Sequence, residues 1–199
     1  MDLEAQHLLR EGWVVTATKE PGGTPVGRKI REMVLNAENG PLCATTELAL
    51  MLAARAQHIN EVMRPALESG VLVLCDRFTD STIAYQGYGR GVPLDQLETL
   101  DRILCHSFRP QLTVLLDIYP ETAAERTGSR NRAAHQKETR FEDEGLVFFR
   151  RVQQGYHAIA QRESDRVRLV NGRGSIAEVH EQVQRIVEEF LMTRSSRKQ

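Results

Sequence analysis

Four short apolar runs rich in branched residues, Trp13 to Thr18, Val71 to Cys75, Leu112 to Ile118 and Val167 to Val170, constrain the fold of this chain more than any other feature. Runs of this length and composition read as buried strands. Between them, helical patterns cover about Glu47 to Leu67, Leu94 to Cys105, Glu121 to Arg126, Glu144 to Gln161 and Ile176 to Leu191. Strands alternating with helices imply an α/β fold, a parallel sheet flanked by helices. Turn signals at Pro21-Gly22-Gly23, Asn39-Gly40-Pro41 and Asn171-Gly172 separate the elements, and no Ser/Pro-rich linker or repeat divides the chain. Residues 1–199 therefore read as one domain, long enough for a sizeable core.

Charge and composition exclude several functions. Lys and Arg number 26 against 27 Asp and Glu, a formal net charge of -1, so no global field attracts a polyanion and general nucleic-acid binding is disfavoured. No stretch approaches the roughly 20 apolar residues of a membrane helix. Met1-Asp2-Leu3-Glu4 lacks the basic-then-apolar order of a signal peptide, which makes the cytoplasm the expected location. Cys43, Cys75 and Cys105 share no metal-ligand spacing, and buried packing is expected for all three. The tail from Thr193 to Gln199 is short, polar and basic, as a frayed terminus is.

In open parallel sheets ligands bind at the carboxyl ends of the strands. Three such ends carry charge here. The first run leads into Lys19-Glu20-Pro21-Gly22-Gly23-Thr24, whose adjacent glycines would let a ligand approach the backbone; the second ends in Asp76-Arg77-Phe78; the third passes through Asp117, which could equally cap a helix. Leu48, Leu52, Arg55, Ile59 and Val62 share one helix face, so Arg55 lies in an apolar stripe. A guanidinium there must meet a carboxylate such as Asp76, an acceptor on a ligand, or water in a cleft. The segment from Arg126 through Arg130 and Arg132 to Lys137 and Arg140 is basic and poor in apolar residues; it suits either a solvated loop or a lid over phosphates. Leu146, Phe149, Val152, Tyr156 and Ile159 read as core.

The run from Cys75 to Gly91, C-D-R-F-T-D-S-T-I-A-Y-Q-G-Y-G-R-G, resembles the D-R-[YF] and D-S-x-x-A-Y-Q-G-x-G-R-G motifs of the thymidylate kinase family. Lys19 to Thr24 is similar to that family's T-R-E-P-G-G-T loop, Ala53 to His58 to its A-A-R-A-Q-H segment, and Thr139 to Glu142 to its D-R-F-E. The resemblance spans nearly the whole chain. It implies a nucleoside-monophosphate-kinase-like parallel sheet and phosphoryl transfer from ATP to dTMP, giving dTDP and ADP for dTTP synthesis. Mg²⁺ would accompany ATP, and a homodimer is implied. By this resemblance Arg77 holds the dTMP phosphate and Arg55 donates to thymine. Tyr85 excludes a ribose hydroxyl, Ser81 and Gln86 contact the base, and Glu20 and Asp76 belong to the site. Arg126, Arg130 and Arg132 reach the ATP phosphates from a lid at about 126–140.

The chain departs from the family pattern in one large respect. Family members open with a strand and a G-x-x-x-x-G-K-[ST] loop that cradles ATP phosphates, and no such motif occurs here; the lysines are Lys19, Lys29, Lys137 and Lys198. The resemblance sets Met1 inside the helix after that loop, so the expectation is a start placed too late. The strand so left out would be the central one of a sheet ordered 2-3-1-4-5, between Val71 to Cys75 and Leu112 to Ile118. A chain without it is expected to fold poorly and bind ATP weakly. The rival reading is a non-catalytic nucleotide-binding or regulatory protein that keeps the dTMP pocket. Lys19 for Arg, Thr139 for Asp, and Met51-Leu52 in place of a stacking aromatic are smaller departures.

Overall fold

The computed structural model describes residues 1–122, 140–141 and 144–195. In chain order the elements are α1 (Asp2–Arg10), β1 (Val15–Lys19), α2 (Pro25–Leu35), a 3₁₀ turn (Ala37–Asn39) and α3 (Ala44–His58). A π-helical turn (Ile59–Met63) carries α3 into α4 (Arg64–Glu68). Then follow β2 (Leu72–Asp76), α5 (Thr79–Thr82) prolonged by a π-helical stretch (Ile83–Gly89), α6 (Leu94–Cys105), β3 (Thr113–Asp117), α7 (Gly145–Arg162), β4 (Val167–Asn171) and α8 (Ile176–Ser195).

The strands form two parallel pairs. β1 lies beside β2 in register from Val15 opposite Leu72 to Lys19 opposite Asp76. β3 lies beside β4 from Thr113 opposite Val167 to Asp117 opposite Asn171. These are the neighbours 2–3 and 4–5 of the order the resemblance implies. The expectation of fully buried strands is corrected: β1, β2 and β3 are half-buried or exposed along their length, and Leu116 and Leu169 are exposed. Each strand has one ladder neighbour among the described residues, so it is enclosed less than an interior strand.

Other contacts tie the two pairs together. Val73 and Cys75 of β2 and Leu115 of β3 pack against one buried cluster that includes Leu48, Leu52, Phe78, Leu97 and Ile159. Asp80, just beyond β2, accepts hydrogen bonds from Arg166 Nη2 at 2.6 Å and from Thr113 Oγ1 at 2.8 Å.

Local chemistry explains the helix starts nearest the strand ends. Thr24 caps α2 by accepting from the Gly27 amide at 2.9 Å, with Pro25 at the first helical position. Cys43 caps α3 and is exposed and Cys75 is half-buried, so buried packing holds for Cys105 alone. The buried face of α7 is Phe148, Val152, Gly155 and Ile159; Leu146 is exposed, and Phe149 and Tyr156 are half-buried. Among the described residues no helix is long and apolar enough to cross a membrane.

Candidate active site

The carboxyl end of β2 builds the first wall. Asp76 is exposed opposite Lys19, and its carbonyl accepts from the Glu20 amide at 2.9 Å, which holds the two strand ends together. Arg77 follows with φ 67°, a left-handed backbone that disfavours a residue with a Cβ by about 1–2 kcal/mol. This turn lays its guanidinium 5.1 Å from the centre of the Tyr85 ring and brings Nη1 within 3.5 Å of the Tyr156 hydroxyl. The same hydroxyl is 2.7 Å from Ser81 Oγ. Tyr85 meets Phe141 and Phe148 edge-on, with centroids 5.3 and 5.9 Å away. Arg77, Ser81, Tyr85 and Tyr156 thus form one surface at a strand end.

Beneath the Gly22-Gly23 turn lies a buried polar cluster. Arg55 donates from Nε to Glu20 Oε1 at 2.5 Å and from Nη2 to Thr82 Oγ1 at 2.6 Å, and its Nη1 is 3.6 Å from Asp101 Oδ1. Its partners are therefore Glu20 and Asp101 rather than Asp76. Burial pushes the Arg55 pKa down, but Glu20 and its neighbours outweigh burial and hold it above the ordinary value. His58 bonds Thr18 Oγ1 through Nε2 at 2.7 Å and sets Nδ1 3.5 Å from Glu20 Oε2. A Cβ on Gly23 would lie 2.2 Å from His58 Nε2, which is why the turn needs a glycine there. Glu20 Oε2, Arg55 Nη1, His58 Nδ1 and Asp101 Oδ1 are buried yet make no hydrogen bond among the described residues.

A second buried carboxylate, Glu47 of α3, is bonded on both oxygens. Gln86 Nε2 donates to Oε1 at 2.8 Å, Arg90 Nε reaches both oxygens at 3.2 Å, and Arg140 Nη2 donates to Oε2. Gln86 is itself buried, with its amide nitrogen directed at Glu47.

Asp117, the third charged strand end, accepts from Gln153 and Arg173 and bonds His157 at 2.8 Å, in a cleft that Leu169 and Asn171 also line. Burial raises its pKa, but His157, Gln153 and Arg173 together outweigh burial and hold it below the ordinary value. Arg126, Arg130 and Arg132 lie outside the described residues, as does the remainder of the 123–139 segment. Among the described residues no group of three His, Cys, Asp or Glu side chains could hold a metal ion.

The structure also brings Thr18, Glu47, His58, Thr82, Asp101 and Tyr156 to these clusters, which the sequence does not single out. His58 closes the A-A-R-A-Q-H segment that holds Arg55. Tyr156 follows the helical spacing of core residues, and nothing in that spacing reports where its hydroxyl points.

Comparison with known proteins gives a consistent result. A family profile described as "Thymidylate kinase" matches residues 2–183. A thymidylate kinase of Desulfovibrio desulfuricans is 42% identical over 196 residues, 98% of this chain and 90% of that protein. Thymidylate kinases of Geotalea uraniireducens and Pelobacter propionicus are 45% and 44% identical over 177 and 182 residues, in each case 83% of the relative's length.

Proposed function

This chain belongs to the thymidylate kinase family, and from that premise we propose how its residues serve the reaction the family name denotes. The activity is that of a nucleoside monophosphate kinase, a transferase that moves a phosphoryl group to dTMP.

In phosphoryl transfer the protein chiefly positions anions and offsets their charge. Arg77 is the anchor of the dTMP phosphate in this reading. One face of its guanidinium lies on Tyr85 and one nitrogen turns to Tyr156, so the remaining N–H groups of an exposed side chain form an edge that a phosphate can bridge. The single observation that carries the reading is this left-handed arginine at a strand's carboxyl end, set on a tyrosine that Phe141 and Phe148 back.

Backed in that way, Tyr85 cannot yield to an added 2′-hydroxyl, and it selects the deoxy sugar. Arg55, held by Glu20 and Asp101, is the group this reading assigns to a carbonyl of thymine. Glu20 keeps that guanidinium in place, Ser81 adds a polar contact, and Glu47 fixes the amide of Gln86.

ATP as donor, contacts from Arg126, Arg130 and Arg132 to its phosphates, a cytoplasmic location and a homodimer belong to the same proposal and rest on family membership. Mg²⁺ fits the residues present as a phosphate-carried ion: Asp76, exposed at the strand end, is the carboxylate that would hold it. When bound, it neutralises charge on the phosphates.

Calorimetric binding of dTMP and of its 2′-hydroxylated counterpart tests the reading. The parent chain should prefer dTMP, and Tyr85→Ala should narrow the preference. Equal preference ratios in parent and variant would remove Tyr85 from the selection.

A further inference from the structure

The reading above uses Arg77 but leaves unexplained what keeps a long, exposed arginine in one conformation. An arginine side chain carries about 2 kcal/mol of rotamer entropy, and binding must overcome it unless the fold has already restrained the group. Two contacts restrain Arg77 here. The Tyr85 ring covers one face of the guanidinium, and the Tyr156 hydroxyl lies 3.5 Å from Nη1.

Tyr156 is held in turn from two sides. Its hydroxyl shares a 2.7 Å hydrogen bond with Ser81, and its ring meets Tyr85 edge-on at 6.4 Å. Burial pushes the Tyr156 phenol pKa up to about 12, so at neutral pH the group is a neutral hydroxyl that can donate to Ser81 and accept from Arg77. The seat depends on its neighbour Gly155, where a Cβ would lie 2.8 Å from the Tyr88 ring and 3.0 Å from Ala84 Cα. That close approach lets α7 carry Tyr156 down onto the Ile83–Gly89 stretch.

We propose that Tyr156 is a positioning residue for the monophosphate: its hydroxyl, tethered by Ser81, holds the Arg77 guanidinium on the Tyr85 ring with its free edge outward. The inference rests on Arg77 being the phosphate anchor. It assigns a role to a hydroxyl that helical spacing alone would place in the core.

The test compares dTMP with thymidine, which shares the base and sugar but lacks the phosphate. Calorimetric titration of both ligands into Tyr156→Phe, Ser81→Ala, Arg77→Ala and the parent separates the possibilities. Tyr156→Phe keeps the ring and removes one oxygen; dTMP affinity should fall by about tenfold, the scale of one hydrogen bond to a charged group, while thymidine affinity stays the same. Ser81→Ala should shift dTMP in the same direction by a smaller factor, and it leaves the aromatic packing untouched if Tyr156→Phe folds poorly. Combined with Arg77→Ala, Tyr156→Phe should add no further loss.

An equal loss for dTMP and thymidine would make Tyr156 a packing residue and overturn the inference. So would a clear dTMP loss in Arg77→Ala with none in Tyr156→Phe, and in that case the phosphate-anchor reading would stand. Unchanged dTMP affinity in Arg77→Ala would overturn that reading and the inference with it.

Discussion

Two buried carboxylates of this molecule, Glu47 and Glu20, each bind arginine, and they differ in how fully they are bonded. Glu47 takes hydrogen bonds on both oxygens from Gln86, Arg90 and Arg140, drawn from separate parts of the chain. Glu20 engages Arg55 through Oε1, while its Oε2, with Arg55 Nη1, His58 Nδ1 and Asp101 Oδ1, makes no hydrogen bond among the described residues. Burial without hydrogen bonds costs stability, and the four atoms face one another at longer range, Arg55 Nη1 to Asp101 Oδ1 at 3.6 Å and His58 Nδ1 to Glu20 Oε2 at 3.5 Å. Glu47 is thus a clasp, and the Glu20–Arg55 cluster is the less completely bonded of the two.

This contrast orders the expected effects. Glu47→Ala should be the most damaging change, because it leaves Arg140 and Gln86 buried without their acceptor; a loss of about 3–5 kcal/mol is expected in denaturant unfolding. A loss below about 1 kcal/mol would break the comparison.

Arg55→Lys should act mainly on ligand binding. Lysine keeps the charge but cannot reproduce the fork that reaches Glu20 and Thr82 together, so dTMP binding should weaken by about 1.5–3 kcal/mol in a titration. Stability should fall by less than in Glu47→Ala.

Gly23→Ala sharpens the same contrast by pressing on the cluster through His58, with an expected cost of about 1–3 kcal/mol for overpacking. His58→Ala in the same chain should relieve part of that cost, as measured by thermal unfolding.

The smallest effect is confined to acid. Burial raises the pKa of Asp80, but Arg166 and Thr113 more than offset it and hold the carboxyl below its ordinary value. A depressed pKa contributes stability that is present above the unfolded value, about 3.9, and is lost as pH falls through the folded value. Asp80→Asn should therefore flatten the stability curve below about pH 4 and remove about 1 kcal/mol near neutrality. An unchanged acid slope would detach Asp80 from the contacts between the strand pairs.

The elements show how much of this was legible in the sequence. All four apolar runs are strands, and α6 spans Leu94–Cys105 as its periodicity indicates. β1, β2 and β4 end one residue later than their runs, at Lys19, Asp76 and Asn171, because a polar side chain does not stop the backbone from pairing. α2 starts at Thr24 and Pro25, a standard helix start that the preceding Pro21-Gly22-Gly23 turn signal masks in the sequence. The π-helical turns that shift the helix faces after His58 and Thr82 have no compositional signature.

For the candidate site, motif and strand-end arguments point to Arg77, Tyr85, Glu20 and Arg55, and the structure sets Arg77 on Tyr85 and Arg55 against Glu20. Pairing was not legible at long range. Glu47 of α3 meets Arg140 93 residues away, and Ser81 of α5 meets Tyr156 of α7 75 residues away, contacts that tertiary packing alone creates.

The central claim, that the strand end at Arg77 receives the monophosphate, is tested most directly by calorimetric titration of dTMP into the parent chain and into Arg77→Ala. The account predicts a loss of about 1.5–3 kcal/mol in the variant, the scale of a hydrogen bond to a charged group, with the unfolding midpoint of the free protein little changed. An unchanged dTMP affinity would contradict it.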